Sequence, residues 1–397
     1  VHSYDDIARP SGSEAMDKSD TKILCETRFA ECFGRAPELT ASAPGRIEVL
    51  GNHTDYNLGL TLSCAVGQRC CACIAVSEEP AIRLSSTSEG AEPVTVSLDD
   101  LSAPDGHWAR YVLGLVTALQ DRGQEVPGFA MLIHSDVPRS AGLSSSSALE
   151  MSALMAMTST LKLDLSPMQL AKIGQHVESV IVGAQTGLLD QLTALLGDRD
   201  RLLGIDFQSL ETHHHTMPEG WCFVAVDSGV KHDLTHEYNQ RRVACEQAAA
   251  VMGVSSLREA TTELLAEHLT TMDEGMWRCA RHVIDENQRV VQACEALARG
   301  DVETLGQLMF ASHASSRDYF RNSCDELDAL VQFAQDDPRC VGARLSGGGF
   351  GGVTVHLLRE EDADTYLSEL QNTFVNQESQ TPWGCVCRLD HGARIER

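Results

Sequence analysis

Pro138-Arg139-Ser140-Ala141-Gly142-Leu143-Ser144-Ser145-Ser146-Ser147-Ala148-Leu149-Glu150 stands between two stretches of opposite periodicity. Before it, Phe129-Ala130-Met131-Leu132-Ile133 is a continuous apolar run of strand length. After it, Leu, Met and Ala recur from Leu149 to Leu163 at helical spacing. A glycine and four serines therefore lie where a strand hands over to a helix. The first turn of a helix has N–H groups without intrahelical partners and carries the positive end of the macrodipole. Small residues let an anion approach that backbone, and serine hydroxyls add donors and an oxygen ligand for Mg²⁺. The stretch reads as a phosphate cradle; the plainer reading is a helix capped by serine. No Gly-x-x-x-x-Gly-Lys-Ser/Thr occurs, so a nucleotide would be held without the P-loop lysine.

Working outward, 397 residues suffice for two domains with good cores. The net charge of −26 gives a surface that repels nucleic acid and anionic membranes, so neither is an expected partner. The 14 cysteines are scattered through apolar strand-like and helix-like runs, and the opening residues show no signal-peptide pattern. The expectation is free thiols in a reducing cytoplasm. Cys70-Cys71-x-Cys73 lacks a second ligand pair at zinc spacing, and His213-His214-His215 reads as a polar turn rather than a metal tract.

Val1 to about Asp20 is polar and aperiodic and reads as a loose terminus; a helix follows from Thr21 to Phe33. Ile47–Leu50 reads as a short strand running into Gly51-Asn52-His53-Thr54-Asp55-Tyr56-Asn57-Leu58-Gly59, a polar loop able to bond several hydroxyls of one sugar, or else an Asx-type turn. Strands are expected over Leu62–Val76 and Ala81–Ser86, and helices over Trp108–Gln120 and Pro167–Val182, the latter holding Glu178. In Gly187-Leu188-Leu189-Asp190-Gln191 the carboxylate sits among apolar neighbours, where it needs a partner or a function, either as the cap of a helix or as the acceptor of a proton. A second half opens near Leu202. It contains a strand Cys222–Asp227, a helix Glu237–Met252, three further helices, and the run Gly347-Gly348-Gly349-Phe350-Gly351-Gly352. A strand, Val353–Leu358, follows that run, so it matches the letters of a dinucleotide fingerprint but not its context. Close backbone approach is its expected use.

Pro44–Gly59, Pro138–Glu150 and Gly342–Val355 together resemble the three motifs of the GHMP small-molecule kinases. Gly45-Arg46, Gly51-x-His53-Thr54-Asp55-Tyr56, Gly187–Gln191, Glu237-Tyr238-x-x-Arg241-Arg242 and Ser312-His313-x-Ser315-x-Arg317-Asp318 resemble the galactokinase branch. The resemblance implies an α/β (α+β) protein of two domains, over residues 21–201 and 202–397. The first would resemble ribosomal protein S5 domain 2, the second would be ferredoxin-like, and the active site would lie between them. It implies an ATP-dependent 1-kinase for a monosaccharide, galactose first. Gly142, Leu143, Ser144, Ser145 and Ser146 would hold the nucleotide phosphates and Trp108 would neighbour the adenine. Ser146 and Glu178 would serve Mg²⁺. Asp190 would take the proton of the sugar C1 hydroxyl beside Arg46, a neighbour that favours an ionised carboxylate. Asn52, His53, Asp55, Gly187 and Tyr238 would hold the sugar, and a monomer is expected.

Three positions depart from the pattern: Asn52 replaces a glutamate, Thr186 a cysteine and Ser147 an alanine. Because that glutamate faces the sugar's 6-hydroxyl, Asn52 is expected to read the C6 end differently, with galacturonate as the alternative substrate. On this view Asn52→Glu favours galactose. Two other classes remain: a regulator that binds sugar and ATP without turnover, and a kinase for a non-sugar alcohol such as mevalonate or homoserine. The Arg46, Ser146, Glu178 and Asp190 set disfavours the first, and the His-Thr-Asp-Tyr loop the second.

Overall fold

The computed structural model describes residues 18–87, 93–102, 107–138, 142–183, 187–230, 235–374 and 381–396. Most of the expected loose terminus, Arg139 to Ala141 of the serine loop and Thr186 lie outside these residues. The first helix, α1 (Lys18–Phe33), starts inside the stretch read as a loose terminus. Then come β1 (Leu39–Leu50), β2 (Leu60–Ser77), β3 (Ala81–Ser86), β4 (Val94–Ser97), α2 (Ala109–Gln120), β5 (Gly128–Ser135), α3 (Ser145–Thr160), α4 (Pro167–Val177), α5 (Leu189–Leu196), β6 (Arg201–Asp206) and β7 (Glu211–Thr216).

These strands form one sheet in the order β12-β1-β2-β5-β3-β4, where β12 (Arg394–Glu396) returns from the end of the chain, and the β6–β7 hairpin hangs from β2. In β2, Cys70, Ala72 and Ile74 face the main core, while Cys71, Cys73 and Ala75 face Cys25 and Phe29 of α1. Both faces are covered, so the strand reads as a continuous apolar run instead of alternating. β1 pairs with β2 antiparallel, with register shifts at Pro44/Arg46 and Glu48/Leu50. Proline cannot donate to a ladder, and irregularities of this kind re-aim side chains beside functional sites. Here the shift frees the Arg46 N–H to donate to Leu143 O at 3.0 Å, tying the strand to the serine loop.

The second half contains β8 (Trp221–Asp227), α6 (Thr235–Met252), α7 (Thr262–Glu267), α8 (Glu274–Ala298), α9 (Val302–Ser315), α10 (Asp325–Asp336), β9 (Cys340–Ser346), β10 (Val353–Arg359), α11 (Ala363–Thr373) and β11 (Gly384–Cys387). Its sheet, β11-β8-β10-β9, is antiparallel throughout. The chain order strand, helices, two strands, helix, strand gives it the ferredoxin-like arrangement. One face packs on α10 and α11 through Leu330, Val331, Tyr366 and Leu370. The other face, with Phe223, Ala225, Val355 and Leu357, joins the core of the first half.

Three expectations need correction. The β6–β7 hairpin belongs to the first sheet, so the second half begins after it and not at 202. His213–His215 lie within the paired strand β7, because Thr212 to His215 pair with Leu202 to Ile205. The helix expected through Val182 ends at Val177 and widens into a π turn over Glu178–Val182. Among the described residues no helix is long and apolar enough to cross a membrane. All 14 cysteines are free thiols.

Candidate active site

A cavity of about 130 Å³ opens between the halves, lined by Arg46, Glu48, Asn52, His53, Asp55, Gly187, Leu189, Asp190, Tyr238, Gly347 and Gly348. That is close to the roughly 150 Å³ of a protein cavity able to hold a benzene ring.

At one end Arg46 grips Asp190 with both arms of its fork, Nε to Oδ1 at 2.7 Å and Nη2 to Oδ2 at 2.8 Å. Its third arm donates to Gly142 O at 2.7 Å. Burial works to lower the guanidinium's pKa, but Asp190, with Glu48 and Glu178 behind it, outweighs that and raises it. Two parallel charge-assisted bonds fix orientation as well as charge. Ser144 also donates its hydroxyl to Asp190 Oδ2. Ser144 is left-handed at φ 53°, an uncommon conformation for a residue with a side chain, at the entry to α3. Gly142 is left-handed too, and a Cβ there would meet Val353 Cγ2 at 2.5 Å.

Two residues on from Ser144, Ser146 Oγ donates to Glu178 Oε1 at 2.8 Å, and Gln191 Nε2 donates to Glu178 Oε2 at 3.0 Å. A hydroxyl and a carboxylate suit a hard cation that keeps waters and phosphate oxygens as its other ligands. Behind them lies Glu150, fully buried, its pKa pushed well above the ordinary carboxylate range by burial and then by Glu178.

The other end is the loop over Gly51–Gly59. A Cβ at Gly187 would stand 1.7 Å from Asp55 Oδ2, so the carboxyl occupies the space only a glycine leaves. Burial, then Glu48 and Asp190, push Asp55 up to about 7, against a bond from the Tyr56 N–H. Tyr238 packs its ring against His53 at 5.0 Å and Tyr56 at 5.6 Å. His53 Nε2 faces Gly348 O at 3.1 Å and Nδ1 faces Tyr56 Oη at 2.9 Å. A carbonyl only accepts, so Nε2 carries the proton and Nδ1 accepts from the tyrosine. Burial lowers the pKa of His53 to about 3, keeping it neutral.

Arg46, Asn52, His53, Asp55, Gly187, Asp190 and Tyr238 thus line one cavity. Ser146 and Glu178 meet each other, but neither lines this cavity. The expected roles shift for four residues. The Asn52 amide is fully used by Glu48, Gly347, Asn322 and Ser316. Both nitrogens of His53 are engaged by the protein. The Ser144 hydroxyl goes to Asp190. The Leu143 side chain is buried in the core, leaving its backbone for the loop. Trp108 stands at the start of α2, outside the cavity lining.

The residues that hold the loop escaped the sequence reading. Glu286 Oε1 accepts from the N–H groups of Gly51 and Asn52 at 2.9 and 3.2 Å and from Ser312 Oγ at 2.7 Å. Burial would raise its pKa, but Arg289, His282, Arg344 and Ser312 hold it below the ordinary value. His282 Nε2 lies 3.1 Å from Asn52 O. Arg344, fully buried, donates to Glu48 Oε1 at 3.0 Å and to the Glu48 and Val49 carbonyls. A carboxylate in the apolar strand Ile47-Glu48-Val49 was the one available signal, since a buried charge demands a partner.

The profile of the GHMP kinases N terminal domain matches residues 110–198, that of the GHMP kinases C terminal domain residues 293–376, and the galactokinase galactose-binding signature residues 27–76. The galactokinase of Glaesserella parasuis serovar 5 is 37% identical over 378 residues, covering 94% of this chain and 98% of that protein. The galactokinase of Roseiflexus sp. (strain RS-1) is 36% identical over 379 residues, covering 94% and 96%. The crystal structure of Lactococcus lactis galactokinase complexed with galactose superposes with a TM-score of 0.88 at 27% identity, covering 94% of this chain and 99% of that one. A mevalonate kinase structure, with a TM-score of 0.62 at 19% identity over 89% of this chain and 99% of that one, shares the fold. The chain belongs to the GHMP kinases and, within them, to the galactokinase family.

Proposed function

We propose that the chain transfers the γ-phosphoryl group of ATP to the anomeric hydroxyl of D-galactose, releasing galactose 1-phosphate and ADP. The observation that carries this reading is the Arg46–Asp190 pair, set in a sugar-sized polar cavity at the foot of the serine loop.

The C1 hydroxyl enters hydrogen-bond reach of Asp190, whose carboxylate accepts the proton as the oxygen bonds to phosphorus and the bond to the ADP oxygen breaks. Arg46, held by three bonds, keeps that carboxylate aimed and offers positive charge to the phosphoryl oxygens. The N–H groups opening α3 and the Ser145 hydroxyl cradle the nucleotide phosphates, with Trp108 beside the base. Mg²⁺, when bound, supplies neutralisation of the phosphate charge, and Ser146 and Glu178 are the residues that fit it. Asp55, Tyr238 and the Gly187 backbone hold ring hydroxyls. Free thiols support a reducing, cytoplasmic setting, and the proposed working unit is a monomer.

The test is ADP release with ATP and Mg²⁺ across a panel of free hexoses and mevalonate, with product analysis. Galactose-dependent ADP release that stops in excess chelator, with phosphate on C1, is expected. Release that ignores the sugar, or persists in chelator, overturns the reading.

A further inference from the structure

The polar side chains of the cavity divide into those whose hydrogen-bonding capacity is used inside the protein and those with capacity left. Asn52 is fully buried. Its Nδ2 donates to Glu48 Oε1 at 2.9 Å and to Gly347 O at 2.8 Å. Its Oδ1 accepts from Asn322 Nδ2 at 3.0 Å and Ser316 Oγ at 3.3 Å. An amide has two donors and room for two acceptances, so Asn52 has nothing to offer a sugar. Glu48 is different. It lines the same cavity, and its Oε1 is taken by Asn52 and Arg344, but its Oε2 makes no hydrogen bond among the described residues. Arg46 and Glu48 are two residues apart on β1, on one face of the strand and about 7 Å apart along it. That places a carboxylate oxygen roughly a hexose away from the Arg46–Asp190 pair.

We infer that Glu48, and not Asn52, reads the end of the sugar remote from the transferred phosphoryl group, and that it selects a neutral hydroxymethyl over a carboxylate there. A hydroxymethyl donates to Oε2. A uronic acid sets a second carboxylate against it in a closed site, where like charges are costly. Glu48 is thus a specificity-determining residue, and Asn52 aims it. The inference rests on the reading of the cavity as a galactose site.

The experiment compares kcat/KM for galactose, galacturonate and 6-deoxygalactose in the parent, Glu48→Gln, Glu48→Asp and Asn52→Asp, with Tm measured for each. The parent is expected to reject galacturonate. Glu48→Gln should raise the galacturonate-to-galactose ratio by about 10–100-fold, since it removes the charge and gains a donor. Should Glu48→Gln not fold, Glu48→Asp decides. It keeps the charge facing Arg344 but withdraws it from the sugar, so galactose turnover should fall about tenfold while 6-deoxygalactose is nearly unaffected. Asn52→Asp should lower Tm and leave the ratio in place. A parent that phosphorylates no galactose overturns the proposed function and this inference with it. A parent that does, with a ratio untouched in Glu48→Gln, or moved by Asn52→Asp instead, overturns the inference alone.

Discussion

The two ends of the cavity are built on opposite plans. The phosphoryl end is assembled by the first half of the chain from residues that touch directly: Arg46 on β1, Asp190 on α5 and Ser144 at the foot of α3. The sugar loop also belongs to the first half, but much of its support comes from the second. Glu286 and His282 on α8, Asn322 after α9, and the carbonyls of Gly347 and Gly348 all bond to it, and Asn287 on α8 accepts from the Leu60 N–H just beyond it. On the proposed function the chemistry is therefore local to one half, while the fit of the sugar is a property of the seam. Damage at the first end should lower kcat in a protein that stays folded. Damage at the second should lower stability and raise KM.

The largest effect is expected at Asp190. Asp190→Asn keeps the shape but cannot accept a proton, and kcat should fall by about 10²–10⁴-fold. ATP binding should survive. Near-normal turnover in a folded variant would reduce Asp190 to a structural partner of Arg46 and dissolve the distinction between the ends. Arg46→Ala should lower kcat in the same direction.

Glu286→Gln tests the opposite plan. It weakens a buried carboxylate that organises two loop N–H groups and an arginine, so about 3 kcal/mol of stability should be lost, with KM raised more than kcat is lowered. The sign with pH follows from the depressed pKa. The carboxylate's contribution is fully present above its ordinary 4.5 and is lost as pH falls below it. The gap in Tm between parent and Glu286→Gln should accordingly close below about pH 4.5. His282, which burial lowers to about 4 against the pull of Glu286, also erodes stability on acidification, and equally in both proteins only above about pH 4, so the gap is followed from pH 7 down to that point. A gap that widens in acid would mean that Glu286 is not held ionised by its neighbours.

Asn52→Glu sharpens the comparison at a single position. From the sequence, a glutamate here is expected to favour galactose. In the structure it sets a second carboxylate beside Glu48 and removes the donor from Gly347 O. The expected outcome is a loss of about 2 kcal/mol, read as a lower unfolding midpoint, with no turn of specificity toward galactose. A folded variant with an improved galactose-to-galacturonate ratio would return the sugar-reading role to position 52.

Both ends of the cavity are legible in the sequence, but the residues that brace the sugar loop are not, and these contacts say why. Serines opening a helix and an Asp among leucines announce themselves within a few residues, because capping, phosphate binding and buried charge are local demands, whereas Arg46 is named only through the family resemblance. Asn52 meets Asn322 across 270 residues and Glu48 meets Arg344 across 296. No periodicity encodes such a meeting. The same holds for the fold. The β-rich core strands and long helices were readable. β12, three residues long, exists as a strand because β1 offers it an edge. β6 and β7 join the first sheet, although nothing within the hairpin says which sheet it will join.

Ser144→Ala is the smallest and finest test, since it alters the phosphoryl end without touching either charge. The hydroxyl donates to Asp190 Oδ2, the oxygen that also accepts from Arg46 Nη2, so removing it leaves the bidentate grip intact. Alanine suits the left-handed backbone at φ 53° no better than serine, so the backbone cost is nearly unchanged. What is lost is one hydrogen bond to a charged group, about 1.5–3 kcal/mol. If Ser144 orients Asp190 for proton acceptance, kcat should fall about tenfold with KM for ATP unchanged. If its hydroxyl instead serves the nucleotide phosphates, KM for ATP should rise and kcat should hold. A change in neither would leave the orienting of Asp190 to Arg46 alone.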